Sequence, residues 1–171
     1  LQLSGIGPAA LLQQHGVAVQ HALPGVGENL QDHLQTRLIF ECTRPTTNDA
    51  LRSWRGQARL GLQWLLHRSG PLAVGINQGG CFMRALHDDA GQPVAATPDI
   101  QFHVATLSAD MAGGKVHPFS GFTLSVCQLR PQSRGHLRIK SPDPFAAPAM
   151  QPNYLSAPGD CATIVRGVRL A

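Results

Sequence analysis

The second half of the chain is cut into short apolar runs by clusters of Gly, Pro, Asp and Ser. Gly80–Arg84, Ile100–Leu107, Phe122–Leu129 and His136–Lys140 are such runs, and Gln35–Thr43 is a similar one nearer the start. Runs of this length, bounded by turn residues, read as strands. They do not alternate with helical stretches in a βαβ series, so the strands are expected to pair antiparallel. The fold class expected is therefore α+β. Its antiparallel sheet should draw on the 35–43, 80–84, 99–107, 121–129 and 135–140 regions, with a helix over 49–68 packed beside it.

That helix is carried by one apolar stripe, Leu51, Trp54, Ala58, Leu62 and Leu65, and is stopped by Gly70 and Pro71. Arg52, Arg55 and Arg59 form a second stripe, which reads as a solvated face or as an anion-binding ridge. The first 34 residues differ in kind. "LQLSGIGPAALLQQHG" reads as a strand end, a Gly turn and a short helix, with Pro8 at its start and Gly16 at its end. "VAVQHAL" then alternates like a strand, giving a small β-α-β pattern. Ser108 to Ser120, with Gly113 and Gly114, reads as a long loop of the kind often found beside sites. Asp88-Asp89 reads as a turn, and Asp160 as the N-cap of a final helix. Both ends read as cut, with a strand fragment opening the sequence and an incomplete helix closing it.

Of 171 residues, 43% are hydrophobic, enough to fill a core, so wholesale disorder is not expected. The net charge of +4 rests on twelve Arg against two Lys. This permits weak attraction to anions without requiring a nucleic-acid partner. Cys42, Cys81, Cys127 and Cys161 are far apart and lack CxxC spacing, which reads as buried or partly buried free thiols in a reducing compartment. No apolar run approaches the roughly 20 residues of a membrane span. With no signal peptide in view, the expected location is cytoplasmic.

Motifs with chemical content are sparse. "GIGPAA" formally satisfies the G-x-G-x-x-G/A dinucleotide fingerprint, but only four residues precede it and no ribose-binding acid ends the next strand. "GVGENL" has Leu30 where a third small residue belongs. There is no G-x-S-x-G, and Asp32 and His33 are sequence neighbours that do not face each other. No metal-ligand constellation is present. His103, between Phe102 and Val104 in a strand-like run, is the most suggestive single residue, with a hydrogen-bonded histidine at the core's edge as the plain alternative.

Several segments taken together resemble the glucose–methanol–choline (GMC) family of flavin-dependent oxidoreductases. Ser4-Gly5-Ile6-Gly7 is similar to the end of a family signature, and "PGVGENLQDHL" to the segment that follows it. "SGPLAVGINQGGCFMR", "PDIQFHVA" and "QLRPQSRGHLRIKSPDPFAAPAMQPNYLS" continue the resemblance in order. It implies that residues 1–34 belong to an FAD-binding domain and residues 35–171 to an incomplete substrate-binding domain. It implies a parent that oxidises a primary alcohol by hydride transfer to flavin, in the branch similar to choline dehydrogenases. The family's catalytic His lies outside this chain, so the isolated chain is expected to be inactive and not to retain FAD.

By the same resemblance Gln78 and His103 would face the alcohol from one shared cavity, and Asn29 and Asp32 would lie on the cofactor side. Relatives often carry Glu where Gln78 stands, and a neutral amide favours a neutral alcohol over choline. The partners implied are a small alcohol and the rest of the FAD domain, with no nucleic acid and no membrane span. A non-enzymatic basic binding module and a ligand-free scaffold are the other readings.

Overall fold

The computed structural model describes residues 1–171 apart from Asp88, Asp89, Pro93, Ala95, Met111 and Ala112. The turn expected at Asp88-Asp89 lies outside the described residues. In chain order the elements are β1 (Ile6–Gly7), α1 (Ala9–Gln14), β2 (His21–Ala22), β3 (Gln35–Glu41), α2 (Thr47–Leu51) and α3 (Trp54–His67). They continue with β4 (Asn77–Met83), β5 (Ile100–Ala105), β6 (Gly121–Gln128), β7 (His136–Arg138), β8 (Ala149–Gln151) and α4 (Pro158–Leu170). The chain forms two compact units, Leu1–Leu34 with Arg130–Ala162, and Gln35–Leu129 with Thr163–Ala171.

Residues 130–162 thus group with the N-terminal segment, although the sequence places them in a second domain running to 171. Hydrogen bonds explain the grouping. Leu30 and Gly135 exchange both backbone bonds at 2.9 Å, and the Leu137 N–H donates to the Gly27 carbonyl at 2.7 Å. The buried Gln2 amide bridges the same segments, donating to the Leu137 carbonyl at 3.0 Å and accepting the Ile139 N–H at 2.8 Å. In this unit β1 and β2 pair in parallel around α1, while β7 and β8 form an antiparallel pair of their own. The 135–140 region therefore does not join the large sheet. Asp160 lies inside the first turn of α4, not at its cap, and its buried carboxylate accepts the Gln132 and Ser133 N–H groups, both at 2.8 Å.

Gly27 shows what the "GVG" glycines do. It sits at φ +88°, and a Cβ there would come 2.2 Å from the Leu137 carbonyl oxygen. Only Gly fits such a left-handed residue pressed against backbone. Gly25 and Gly27 thus belong to a turn, and Gly27 makes a close approach to the β7 backbone.

The second unit is built on an antiparallel four-stranded sheet in the order β3-β6-β5-β4. Period-two alternation sends Ile100, Phe102 and Val126 to one face, where they form the buried core with Ala85 and the partly buried Leu38, Leu124 and Val168. The C-terminal part of α4 closes that face. A Cβ at Gly167 would meet Val126 Cγ1 at 2.6 Å, which shows how near helix and sheet lie.

The single helix expected over 49–68 is two helices. Ser53 is extended, with φ −112° and ψ 141°, and its Oγ accepts the Gly56 N–H at 3.0 Å to cap α3. This interruption resets the helical phase. Of the predicted apolar stripe, Leu51 stays on α2, while Trp54, Leu62 and Leu65 on α3 are exposed and Leu60 is the buried residue. The arginine stripe is split too. Arg52 pairs with Asp49 and donates to the Pro118 carbonyl, whereas Arg55 lies 5.4 Å over the Trp54 ring. Among the described cysteines Cys127 is buried and Cys42 half-buried, with Cys81 and Cys161 exposed, not the mostly buried set expected.

Candidate functional site

With one face of the four-stranded sheet committed to the core, its opposite face is free to carry chemistry. Directly paired residues share a face in an antiparallel sheet. The register Arg37–Ser125–His103–Gly80 therefore runs straight across all four strands on the side away from Ile100 and Phe102. A neighbouring row is Ile39–Thr123–Ala105–Asn77. The outcome is a patch of guanidinium, hydroxyl, imidazole and amide groups. Ser125 and Thr123, on the inner strand β6, are buried.

Over this face lies a cavity of about 260 Å³. Arg37, Asn77, Thr123 and Ser125 supply polar groups to it, and Leu51, Ile76, Leu107 and Val116 supply apolar wall. Neither Gln78 nor His103 is among the residues that line it. Gln78 is the extra residue of a bulge in β4, between Asn77 opposite Ala105 and Gly79 opposite Val104, and it is exposed. His103 is half-buried in the polar row, beside Ser125.

The segment Ser108–Ser120, read from sequence as a long loop, contributes Ala109, Gly113, Gly114 and Val116 to the cavity wall. Its base is a two-residue ladder, with Ala109 paired to Val116 and the His117 N–H donating to the Ser108 carbonyl at 3.0 Å. Asn48, fully buried on α2, pins both legs. Its Oδ1 accepts the Ser108 N–H at 2.9 Å, and its Nδ2 donates to Ser108 Oγ at 2.9 Å and to the Phe119 carbonyl at 3.0 Å. Asp49 accepts the Thr46 N–H at 2.7 Å and the Ser120 hydroxyl at 2.9 Å. The Thr46 N–H, then the Ser120 hydroxyl, hold the Asp49 carboxyl below the usual carboxylate range. The His117 ring stacks on Phe119 at 5.0 Å and meets Asp110 at 3.1 Å.

Asn29 and Asp32 belong to the first unit. Asn29 is exposed with φ +60°, a left-handed turn that Asn tolerates. Asp32 accepts its neighbour's N–H, from His33, at 2.9 Å, and the Tyr154 hydroxyl. That bond to a carboxylate, followed by burial, pushes the Tyr154 phenol upward. Among the described residues no group of three His, Cys, Asp or Glu is placed to hold a metal ion, and no helix is long and apolar enough to cross a membrane.

Asn48, Arg37 and Ser125 were not singled out by sequence reasoning. For Arg37 a signal existed, since a charged residue alternates with Thr36 and Leu38 inside a strand. For Asn48 there was none, because its partners lie about 60 to 71 positions away.

Residues 131–171 match the family model described as GMC oxidoreductase. The oxygen-dependent choline dehydrogenase of Cronobacter sakazakii is 38% identical over 170 residues, 99% of this chain and 29% of that protein. Over nearly its whole length the chain is thus similar to a dehydrogenase of this type, and its last quarter to the GMC oxidoreductase model. An "alcohol dehydrogenase [acceptor]" of Pseudomonas putida is 36% identical over 171 residues, covering 99% of this chain and 30% of that relative. The chain thus spans about 30% of the length of the curated GMC-type relatives it matches. Its fold is found in a formate oxidase, with a TM-score of 0.86 at 23% identity over 99% of this chain and 33% of that one. It is also found in a fungal aryl-alcohol oxidase, with a TM-score of 0.73 at 22% identity over 99% and 35%.

Proposed function

We propose that this chain is a GMC segment and forms the alcohol-facing wall of a longer FAD-dependent oxidoreductase acting on CH–OH donors. The observation that carries the reading is the coincidence of two things. Similarity to choline and alcohol dehydrogenases extends over nearly the whole chain, and the sheet keeps one polar, cavity-bearing face outside its core. When bound, the flavin would carry the redox chemistry, leaving the protein to position the alcohol. Asn29 and Asp32 are proposed to lie on the flavin's side. A Cβ at Gly27 would meet the Leu137 carbonyl and the Gln2 amide, so this glycine serves backbone packing. Free cysteines support a reducing, cytoplasmic compartment.

Gln78 and His103 are proposed to bias which alcohol is used. A neutral amide hydrogen-bonds a hydroxyl or ether oxygen but gives a cation no full charge. The reading is tested by expressing the longer protein that contains this segment beside the isolated 171 residues, and measuring flavin absorbance and dye reduction. Flavin and alcohol turnover are expected in the longer protein alone, and Gln78→Glu should raise kcat/KM for choline relative to n-butanol. A longer protein without flavin, or a 171-residue chain that oxidises alcohols by itself, would contradict the reading.

A further inference from the structure

The cavity over the sheet has a charge pattern that narrows its ligand. Among the described residues Arg37 is the one ionisable side chain lining it, and its guanidinium has no carboxylate partner among them. Its recorded bond is a donation from Nη1 to the Asp110 backbone carbonyl at 3.3 Å, which uses one of five N–H donors. The nearest acidic side chain in sequence to that contact, Asp110, turns its carboxylate to His117 at 3.1 Å. The register places the exposed Arg37 opposite the buried Ser125 on β6. An exposed planar fork with uncommitted N–H donors, on a cavity that Ser125, Leu51, Leu107 and Val116 also line, suits a carboxylate on a short aliphatic chain. At about 260 Å³ the space is small for a ligand pocket, which restricts the guest to a few carbons.

We propose that the preferred alcohol carries a carboxylate, and that Arg37 is the residue that selects it. This rests on the reading of the sheet face as the alcohol side. It goes further, since a neutral Gln78 disfavours a cation, whereas Arg37 positively favours an anion. Among the described residues that line the cavity none is acidic, so none there would repel an anion.

The experiment uses the longer flavoprotein with γ-hydroxybutyrate, n-butanol and choline, and in parallel calorimetric titration with butyrate. Wild type should rank the three in that order by kcat/KM and should bind butyrate. Arg37→Gln should lower the γ-hydroxybutyrate-to-butanol ratio about tenfold to a hundredfold, the range for losing a hydrogen bond to a charged group. It should weaken butyrate binding in parallel, and Arg37→Lys, which keeps the charge but not the planar fork, should recover only part of the binding. A wild-type preference for n-butanol or choline overturns the inference. So does an equal loss on both substrates in Arg37→Gln, which would mark Arg37 as a prop for the Asp110 loop. Alcohol oxidation without Arg37-dependent butyrate binding refutes this inference and leaves the alcohol reading standing. Butyrate binding through Arg37 in a protein that oxidises no alcohol refutes the alcohol reading and the substrate assignment with it, and leaves a carboxylate-binding site.

Discussion

Replacing Asn48 by Ala should loosen the second unit by an amount the geometry sets. The side chain is fully buried and makes three well-formed hydrogen bonds, to the Ser108 N–H, Ser108 Oγ and the Phe119 carbonyl, at 2.9, 2.9 and 3.0 Å. Each such bond contributes about 1 kcal/mol net, so their joint loss costs about 3 kcal/mol. Ser108 is itself fully buried, and its N–H would be left without this partner or water. With an urea m-value near ~2 kcal/mol/M, the unfolding midpoint should fall by about 1.5 M. Tryptophan fluorescence reports the right unit, because Trp54 and Trp64 both lie on α3. Asn48→Asp sharpens the test. It keeps the acceptor toward Ser108 but turns a carboxylate toward the Phe119 carbonyl, so it should destabilise near neutral pH and recover as the acid protonates. A midpoint shift below about 0.3 M for Asn48→Ala would refute the claim that this residue anchors the cavity loop.

Gly27→Ala should destabilise the first unit by about 2 kcal/mol or more, from the strain of a left-handed residue added to a backbone clash with Leu137. Limited proteolysis across residues 25–34 and 130–140 would show it as faster cleavage, and unchanged cleavage would count against the close approach. Asp49 yields a pH prediction. Its folded carboxyl is held below the value of 3.8 it has when unfolded. Its contribution is therefore present above that value and lost as pH falls through the lower, folded value. Acid titration of the α2 region should lose this component in Asp49→Asn, and identical acid curves for variant and wild type would refute it.

How much of this was legible in the sequence depended on the range of the interactions involved. Apolar runs of six to eight residues are a local signal, so strands β3, β5 and β6 could be read directly, while the core face with Ile100, Phe102 and Val126 came from the structure. Leu30 at the third position of "GVGENL" argued against a nucleotide loop there. The helix over 49–68 was legible as helical but not as broken. One serine in an extended conformation suffices to reset the apolar phase, and Ser53 carries no stronger stop signal than other serines in the chain.

What only tertiary structure decided was partnership. The 136–138 strand has the same alternation as the others, yet it pairs with 149–151 and groups with the first unit, through Leu30 and the Gln2 amide. Asn48 and Arg37 acquire meaning only from residues about 60 to 73 positions distant, the range of their recorded bonds. His103 stood out locally as a polar residue in an apolar run, but its neighbours Ser125 and Gly80 come from the register. The physical reason is the same in each case. Hydrophobic periodicity is written along the chain, whereas hydrogen-bond and charge partners are chosen by which backbone segments the packed sheet brings within about 3 Å of one another.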